Sequence, residues 1–371
     1  MTKEQKRIYK TFYAEMMSIE SFNDLEDDKI DYFLDKLLYC LPNNGKLYKY
    51  RTFDNESLKL NYKAIKEGYI WIPKANELND DFDTTLKVNL EEDFKKFYKI
   101  LFTTPEIIAK MMITPEQKQI IDISNSEDKK IMQDVMGNFD VSKMTFNRNR
   151  TIKYLVSQGF ETNKAVSLIC DIDEKVQNIV ETDTTLKSNI EKIINYNNYM
   201  RANTSVFSMS ETNNNEAMWA YYSKNDGYCV EYDFNLIRNL SYDIKRLFIR
   251  TFKINYVANR KNYSFIPLIF YKMTNTNNDD YLSKLSQEFN QELLTKTSDW
   301  KHEKEWRLFL FKFETHKIDA DIVSSIIIDI RGIEQGKAKP LLQLCKQKNI
   351  AVKVRKTNTT NTKHLIENYV N

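Results

Sequence analysis

Glycine is scarce, with seven in 371 residues. The chain therefore has no Walker loop and no G-x-G-x-x-G, and neither common phosphate cradle is available to it. Cysteine and histidine are scarcer still. Cys40, Cys170, Cys229 and Cys345 lie far apart with no C-x-x-C, and the histidines are His302, His316 and His364. That set argues against a zinc cage or a disulfide framework, so no metal is expected, and reduced thiols in the cytoplasm are. The longest aliphatic run, Ile326-Ile327-Ile328, is far short of a membrane span. The opening MTKEQKRIYK has no apolar stretch behind its charges, so neither a secretory signal nor a membrane partner is expected.

What is present suits a globular chain: 42% hydrophobic and 13% aromatic residues, with 55 Lys+Arg against 52 Asp+Glu. At roughly 150 residues per domain, the length suggests about two domains, or one with a large insertion. Charge is distributed unevenly. Residues 15–35 carry eight acids and one lysine, and residues 336–371 carry eight Lys/Arg and one Glu. Two readings stay open. The basic end attracts phosphate or nucleic acid, or the two ends face each other or are solvated helix faces.

Residues 1–45 read as a helical segment, because Ile30, Phe33, Leu34, Leu37, Leu38 and Leu41 recur at helical steps before a Pro42-Asn43-Asn44-Gly45 turn. Residues 46–90 open an α+β core: a strand from Leu47 to Phe53, a helix from Ser57 to Glu67 with Gly68 behind it, and a strand from Tyr69 to Ile72 stopped by Pro73. Residues 91–200 read as a helical insertion, with threonine caps before Pro105 and Pro115. From 201 to 371 strand character returns at Thr204–Ser210, Tyr228–Phe234, Phe252–Val257, Trp306–Phe313, Val323–Ile330 and Ala351–Arg355, with a helix around Tyr281 to Leu294. Asn213–Asn215 and Asn275–Asp280 read as exposed loops. The fold class expected is α+β with a mixed or mainly antiparallel sheet.

Four clusters hold residue types that carry chemistry. In Tyr48-Lys49-Tyr50-Arg51, strand alternation puts Lys49 and Arg51 on one face and the tyrosines on the other. Arg51 offers a planar fork for a phosphate, or is an edge-strand arginine with its head in water. Asn79-Asp80-Asp81-Phe82-Asp83 resembles cation-ligand spacing, but lacks the glycine and the distal glutamate of a calcium loop, and reads rather as an Asx turn whose carboxylates cap backbone N–H groups. Ser208 and Ser210 share a strand face, while Trp219 and Tyr222 stand one helical turn apart, as an aromatic wall or as core. Glu303 and Glu305, a two-residue step apart, point the same way, as a catalytic pair or as a strand entrance in which Glu305 pairs with Arg307 or Lys304.

These clusters resemble, in order, the motifs of a bacterial family catalogued as domain of unknown function 2971. Tyr50-Arg51, Asn79-Asp80-Asp81-Phe82-Asp83, Phe207-Ser208, Met218-Trp219, Tyr222, Gly227 and Glu305-Trp306-Arg307 carry the resemblance, with Asp81 where that family usually has proline. Relatives of this kind look like accessory-genome proteins of bacteria, among which toxins and anti-phage defence effectors are common. The order Tyr50-Arg51, Ser208-Met209-Ser210, Glu303-Lys304-Glu305 is also similar to the arginine–serine–glutamate signature of ADP-ribosyltransferases, with Met209 where threonine is usual and long spacings between the parts.

That second resemblance implies a chemistry. NAD would be cleaved at its nicotinamide–ribose bond and ADP-ribose passed to water, a protein or a nucleic acid. Glu305 would stabilise the oxocarbenium ion, Glu303 would orient or deprotonate the acceptor, Arg51 would hold the pyrophosphate, and Ser208 with Ser210 would position the ribose. Tyr50, Trp219 or Tyr222 would stack on the nicotinamide. The alternative is a non-enzymatic ligand-sensing module that binds protein or nucleic acid through its helical segment and basic end. A third reading gathers Asp80, Asp83, Glu303 and Glu305 around a divalent ion.

Overall fold

The structure, a computed structural model, describes residues 1–19, 21–78, 83–85, 87–88, 126–127, 130–131, 134, 139–140, 145–182, 184–263, 289–313, 315–358 and 363–369. Strands in chain order are β1 (Lys46–Arg51), β2 (Tyr69–Trp71), β3 (Lys87–Val88), β4 (Phe139–Asp140), β5 (Thr145–Phe146), β6 (Thr204–Ser210), β7 (Tyr228–Asp233) and β8 (Thr251–Lys253). They continue with β9 (Asn255–Val257), β10 (Asn262–Tyr263), β11 (Thr295–Thr297), β12 (Glu305–Phe311), β13 (Lys317–Asp319), β14 (Val323–Asp329), β15 (Ala351–Asn358) and β16 (Lys363–Asn368).

The chain divides into two compact units, one of Met1–Thr85, Asn197–Arg260 and Gln287–Asn371, the other of Leu86–Tyr196 and Lys261–Ser286. In the second, the helices Arg148–Ser157 and Thr162–Thr182 bury Leu155, Ala165, Leu168 and Ile169. The Thr-Pro caps, the Asn275–Asp280 stretch and residues 281–288 lie outside the described residues. No helix among the described residues is long and apolar enough to cross a membrane.

The first unit is built on an eight-stranded sheet in the order β16-β15-β14-β7-β1-β6-β12-β8. Every neighbouring pair is antiparallel except β14–β15, so the α+β, mainly antiparallel class expected of the sequence is the one observed. Apolar residues cover one face. Phe207 and Met209 of β6, Trp306 and Leu308 of β12 and Val230 of β7 share one core with Phe12, Met16, Phe33, Leu34 and Leu37 from two helices. Those helices, Lys3–Met17 and Asp27–Cys40, are separate, so the single N-terminal helical stretch is interrupted between them. The other face carries a smaller cluster of Tyr48, Tyr50, Cys229 and Ile327, covered by Met218 and Trp219 of the helix Glu216–Ser223.

Ladder lengths explain where the sheet opens. β1 pairs with β7 over six residues, and β6 with β12 over seven, but β1 meets β6 only at Tyr48↔Ser210. Beyond that bridge the strands separate, and the free edge of β6 is met by the segment after β2: Val206 N donates to Pro73 O at 2.8 Å and Lys74 bridges Ser205. A sheet that parts between two central strands exposes side chains from both into one gap.

Candidate functional site

That gap is a cavity of about 340 Å³, near the small end of ligand pockets, which span roughly 300–1,000 Å³. Tyr48, Lys49, Tyr50 and Arg51 of β1 line it together with Ser208 and Ser210 of β6, Tyr222, Glu303 and Glu305. Of the residues singled out from sequence, Arg51, Tyr50, Ser208, Ser210, Tyr222, Glu303 and Glu305 therefore come to one place, and Trp219 does not. Trp219 is fully buried, its indole N–H donates to Asn213 O at 2.9 Å, and the Arg355 guanidinium lies 4.8 Å from its ring. It cannot stack on a ligand. Its packing on Tyr48, Tyr50, Cys229 and Ile327, from a helix capped by Asn215, makes it core.

Tyr50 touches the cavity but is fixed. Its hydroxyl donates to Thr212 O at 2.7 Å, and its ring stands edge-on to Trp219 at 5.3 Å. Tyr222 has a different role from an aromatic wall: its hydroxyl donates to Glu303 Oε1 at 2.5 Å. Ser210 is buried and donates to the Glu303 carbonyl at 2.7 Å, holding the turn that carries that glutamate. Ser208 is half-buried, and its hydroxyl has no protein partner among the described residues.

Only Glu305 begins the strand. Glu303 ends a short 3-10 turn, Ser298–Glu303, and Lys304 between them takes left-handed backbone with φ of 46°. Both carboxylates still meet one ammonium. Lys296 Nζ, from β11, lies 2.6 Å from Glu303 Oε2 and 2.8 Å from Glu305 Oε2, with Asp83 Oδ2 at 3.4 Å. Arg307, on the same face of β12 as Glu305, closes the set. Its Nε donates to Glu305 Oε1 at 2.6 Å, and two of its N–H groups grip Asp83. Glu305 thus pairs with Arg307 and Lys296, not with Lys304. Asp83, the last residue of the acidic turn, is taken up by Arg307 and Lys296; Asn79, Asp80, Asp81 and Phe82 lie outside the described residues.

Three carboxylates share two cations, and the imbalance separates the two glutamates. Burial raises the Glu303 carboxyl above its ordinary value, and the neighbouring Glu305 charge adds to the rise, against Lys296 and Tyr222. Burial also works against ionised Glu305, but Arg307 and Lys296 overcome it and hold that carboxyl far below the usual range. A pair pushed apart in this way divides labour. One group stays charged and the other is the more readily protonated.

On the opposite wall β1 is a central strand, so Arg51 is not the edge-strand arginine of the alternative reading. It makes no hydrogen bond or ion pair among the described residues, and its Nε is buried without a partner. Its backbone is pinned by Gly227, where a Cβ would come within 2.1 Å of the Arg51 carbonyl oxygen. Only glycine allows that approach.

Lys296 was missed in the sequence. One lysine among 55 Lys+Arg has no local signature, and β11 is three residues long. Trp71 and Trp300, which also line the cavity, carry no spacing signal either.

A family model described as "Protein of unknown function (DUF2971)" matches residues 218–308, and over that stretch the resemblance read from the motifs is borne out. The match takes in Met218-Trp219, Tyr222, Gly227, Lys296, Glu303 and Glu305-Trp306-Arg307, which supply the carboxylate wall and its supports. No curated protein and no solved structure matches the chain.

Proposed function

We propose that the cavity binds NAD and breaks its nicotinamide–ribose bond, passing ADP-ribose to water or to a protein or nucleic-acid acceptor. The observation that carries this reading is the meeting, on one cavity, of two glutamates of opposite protonation tendency with the Arg51 guanidinium and the Ser208 hydroxyl, neither of which has a partner among the described residues. Bond breaking leaves positive charge on the ribose. Glu305, held in its ionised form by Arg307 and Lys296, together with the excess carboxylate of its cluster, stabilises that charge. Glu303 takes the acceptor's proton, Ser208 positions the ribose, and Arg51 holds the pyrophosphate.

The test is incubation with NAD at neutral pH, following free nicotinamide. Wild-type protein releases it. Glu303→Gln and Glu305→Gln each lower release by roughly a hundredfold or more, with a melting curve for each variant to show that it is folded. Absence of nicotinamide with wild type, or undiminished release in folded Glu305→Gln, ends this reading.

A second reading, a sensing module without turnover, draws on a different observation. Both Glu303 oxygens are already engaged, by Tyr222 and by Lys296. Under it, nucleotide raises the melting temperature and no nicotinamide appears.

A further inference from the structure

Buried cations in this protein generally have carboxylate partners. Arg307 pairs with Glu305 and Asp83, Arg355 with Asp329, and Lys296 with Glu303 and Glu305. Lys49 and Arg51, both half-buried, line the cavity without such a partner among the described residues. Lys49 has no ion pair among the described residues. Its Nζ donates to the Ser208 carbonyl at 2.6 Å and lies 4.4 Å from the Phe207 ring centroid. Arg51, two residues along the same strand face, has its Nε buried without a partner. A charge drawn out of water calls for a counter-charge, and Asp83, Glu303 and Glu305 across the cavity are already engaged by Lys296 and Arg307. Two cationic side chains therefore stand side by side with no carboxylate partner among the described residues.

We infer that Lys49 and Arg51 form a two-cation subsite for a phosphoryl group, the ligand supplying the counter-charge. The inference rests on the NAD reading for the identity of the ligand, whose pyrophosphate it places, and on the two side chains for position and charge. An arginine fork and a lysine point charge suit adjacent phosphoryl oxygens.

Binding at such a subsite is linked to protons. Burial depresses the Lys49 pKa well below the ordinary lysine value, and Arg51 depresses it further; Arg307 and Lys296 act in the same direction, and Glu305 opposes them. With the subsite empty, these surroundings favour the neutral amine of Lys49 more than water does. An anion beside it favours the ammonium, so the complex takes up a proton, and affinity falls as pH rises through the pKa of the occupied state.

Inorganic pyrophosphate is the probe, titrated calorimetrically into the full chain in two buffers of different ionisation enthalpy. The expected result is binding with net proton uptake in the wild type. Lys49→Arg should bind without that uptake. Lys49→Met and Arg51→Ala should each bind roughly tenfold more weakly or worse. Pyrophosphate that fails to bind, or that binds Lys49→Met and Arg51→Ala as it binds wild type, overturns the inference. Pyrophosphate binding lost in those variants, alongside no nicotinamide release from NAD in wild type, upholds the subsite and ends the NAD-cleavage reading. Nicotinamide release that is undiminished in both variants does the reverse.

Discussion

The Asp83 carboxylate and the Arg307 guanidinium, 224 residues apart in sequence, meet through two parallel hydrogen bonds of 3.0 and 2.6 Å. Arg307 is fully buried, and it also bonds Glu305 and the Leu293 carbonyl. One side chain thus fixes the turn carrying Asp83, the start of β12, and the backbone just ahead of β11, where Lys296 sits.

Removing Asp83 leaves part of the Arg307 charge buried without compensation. Asp83→Ala should destabilise the protein by about 3 kcal/mol, since breaking one side of a buried pair costs roughly 3–5 kcal/mol and Glu305 retains some of the charge. The midpoint of urea unfolding measures this. An unchanged midpoint would show that the pair contributes nothing to stability.

Tyr222 donates its hydroxyl to Glu303 and so favours the ionised carboxylate. Tyr222→Phe removes that donor, and the Glu303 pKa should move further up from its already raised position. The protonated-carboxyl infrared band, identified by its loss in Glu303→Gln, should persist to higher pH in Tyr222→Phe than in wild type. A midpoint that stays in place or falls counts against the role given to Tyr222.

Glu231 lies buried on β7, outside the cavity. Burial works against its ionisation, but hydrogen bonds from Lys46, Ser324 and Lys353 outweigh that cost and hold its pKa at about 2, against an ordinary value of 4.5. A depressed carboxylate stabilises the fold fully above its unfolded pKa and loses that contribution as pH falls through the folded pKa. The stabilisation is about 3 kcal/mol at neutral pH by the same linkage. Glu231→Gln should therefore be less stable than wild type at pH 7, and the gap should close between pH 4.5 and 2. Parallel stability curves over that range would exclude the assignment.

Much of the fold was legible because it follows from local repeats. Thr204–Ser210 is a strand with the limits read from the sequence, and the stripe Ile30, Phe33, Leu34, Leu37, Leu38 and Leu41 is buried as its helical spacing requires. Short polar strands were not legible. β13 pairs with β2, and β16 pairs with β15, but Lys317–Asp319 and Lys363–Asn368 lack the apolar alternation that marks a half-buried strand.

The uneven charge was legible and its meaning was not. Among the described residues, no ion pair joins the acidic stretch to the basic end. Asp31 pairs with Lys245 and Asp35 with Arg238, while on the basic side Lys348 pairs with Asp321 and Lys353 with Glu231.

By itself the sequence determined which side chains share a strand face. It set Lys49 with Arg51, Ser208 with Ser210, and Glu305 with Arg307, because strand alternation is a property of neighbouring residues. Tertiary structure alone decided which of these charges are satisfied. Lys296 and Arg307 both reach Asp83, from a distant segment, while the parting of β1 from β6 leaves Lys49 and Arg51 lining the cavity with no ion-pair partner among the described residues. Coulombic pairing depends on distance through space, and along this chain those distances are set only when the sheet assembles.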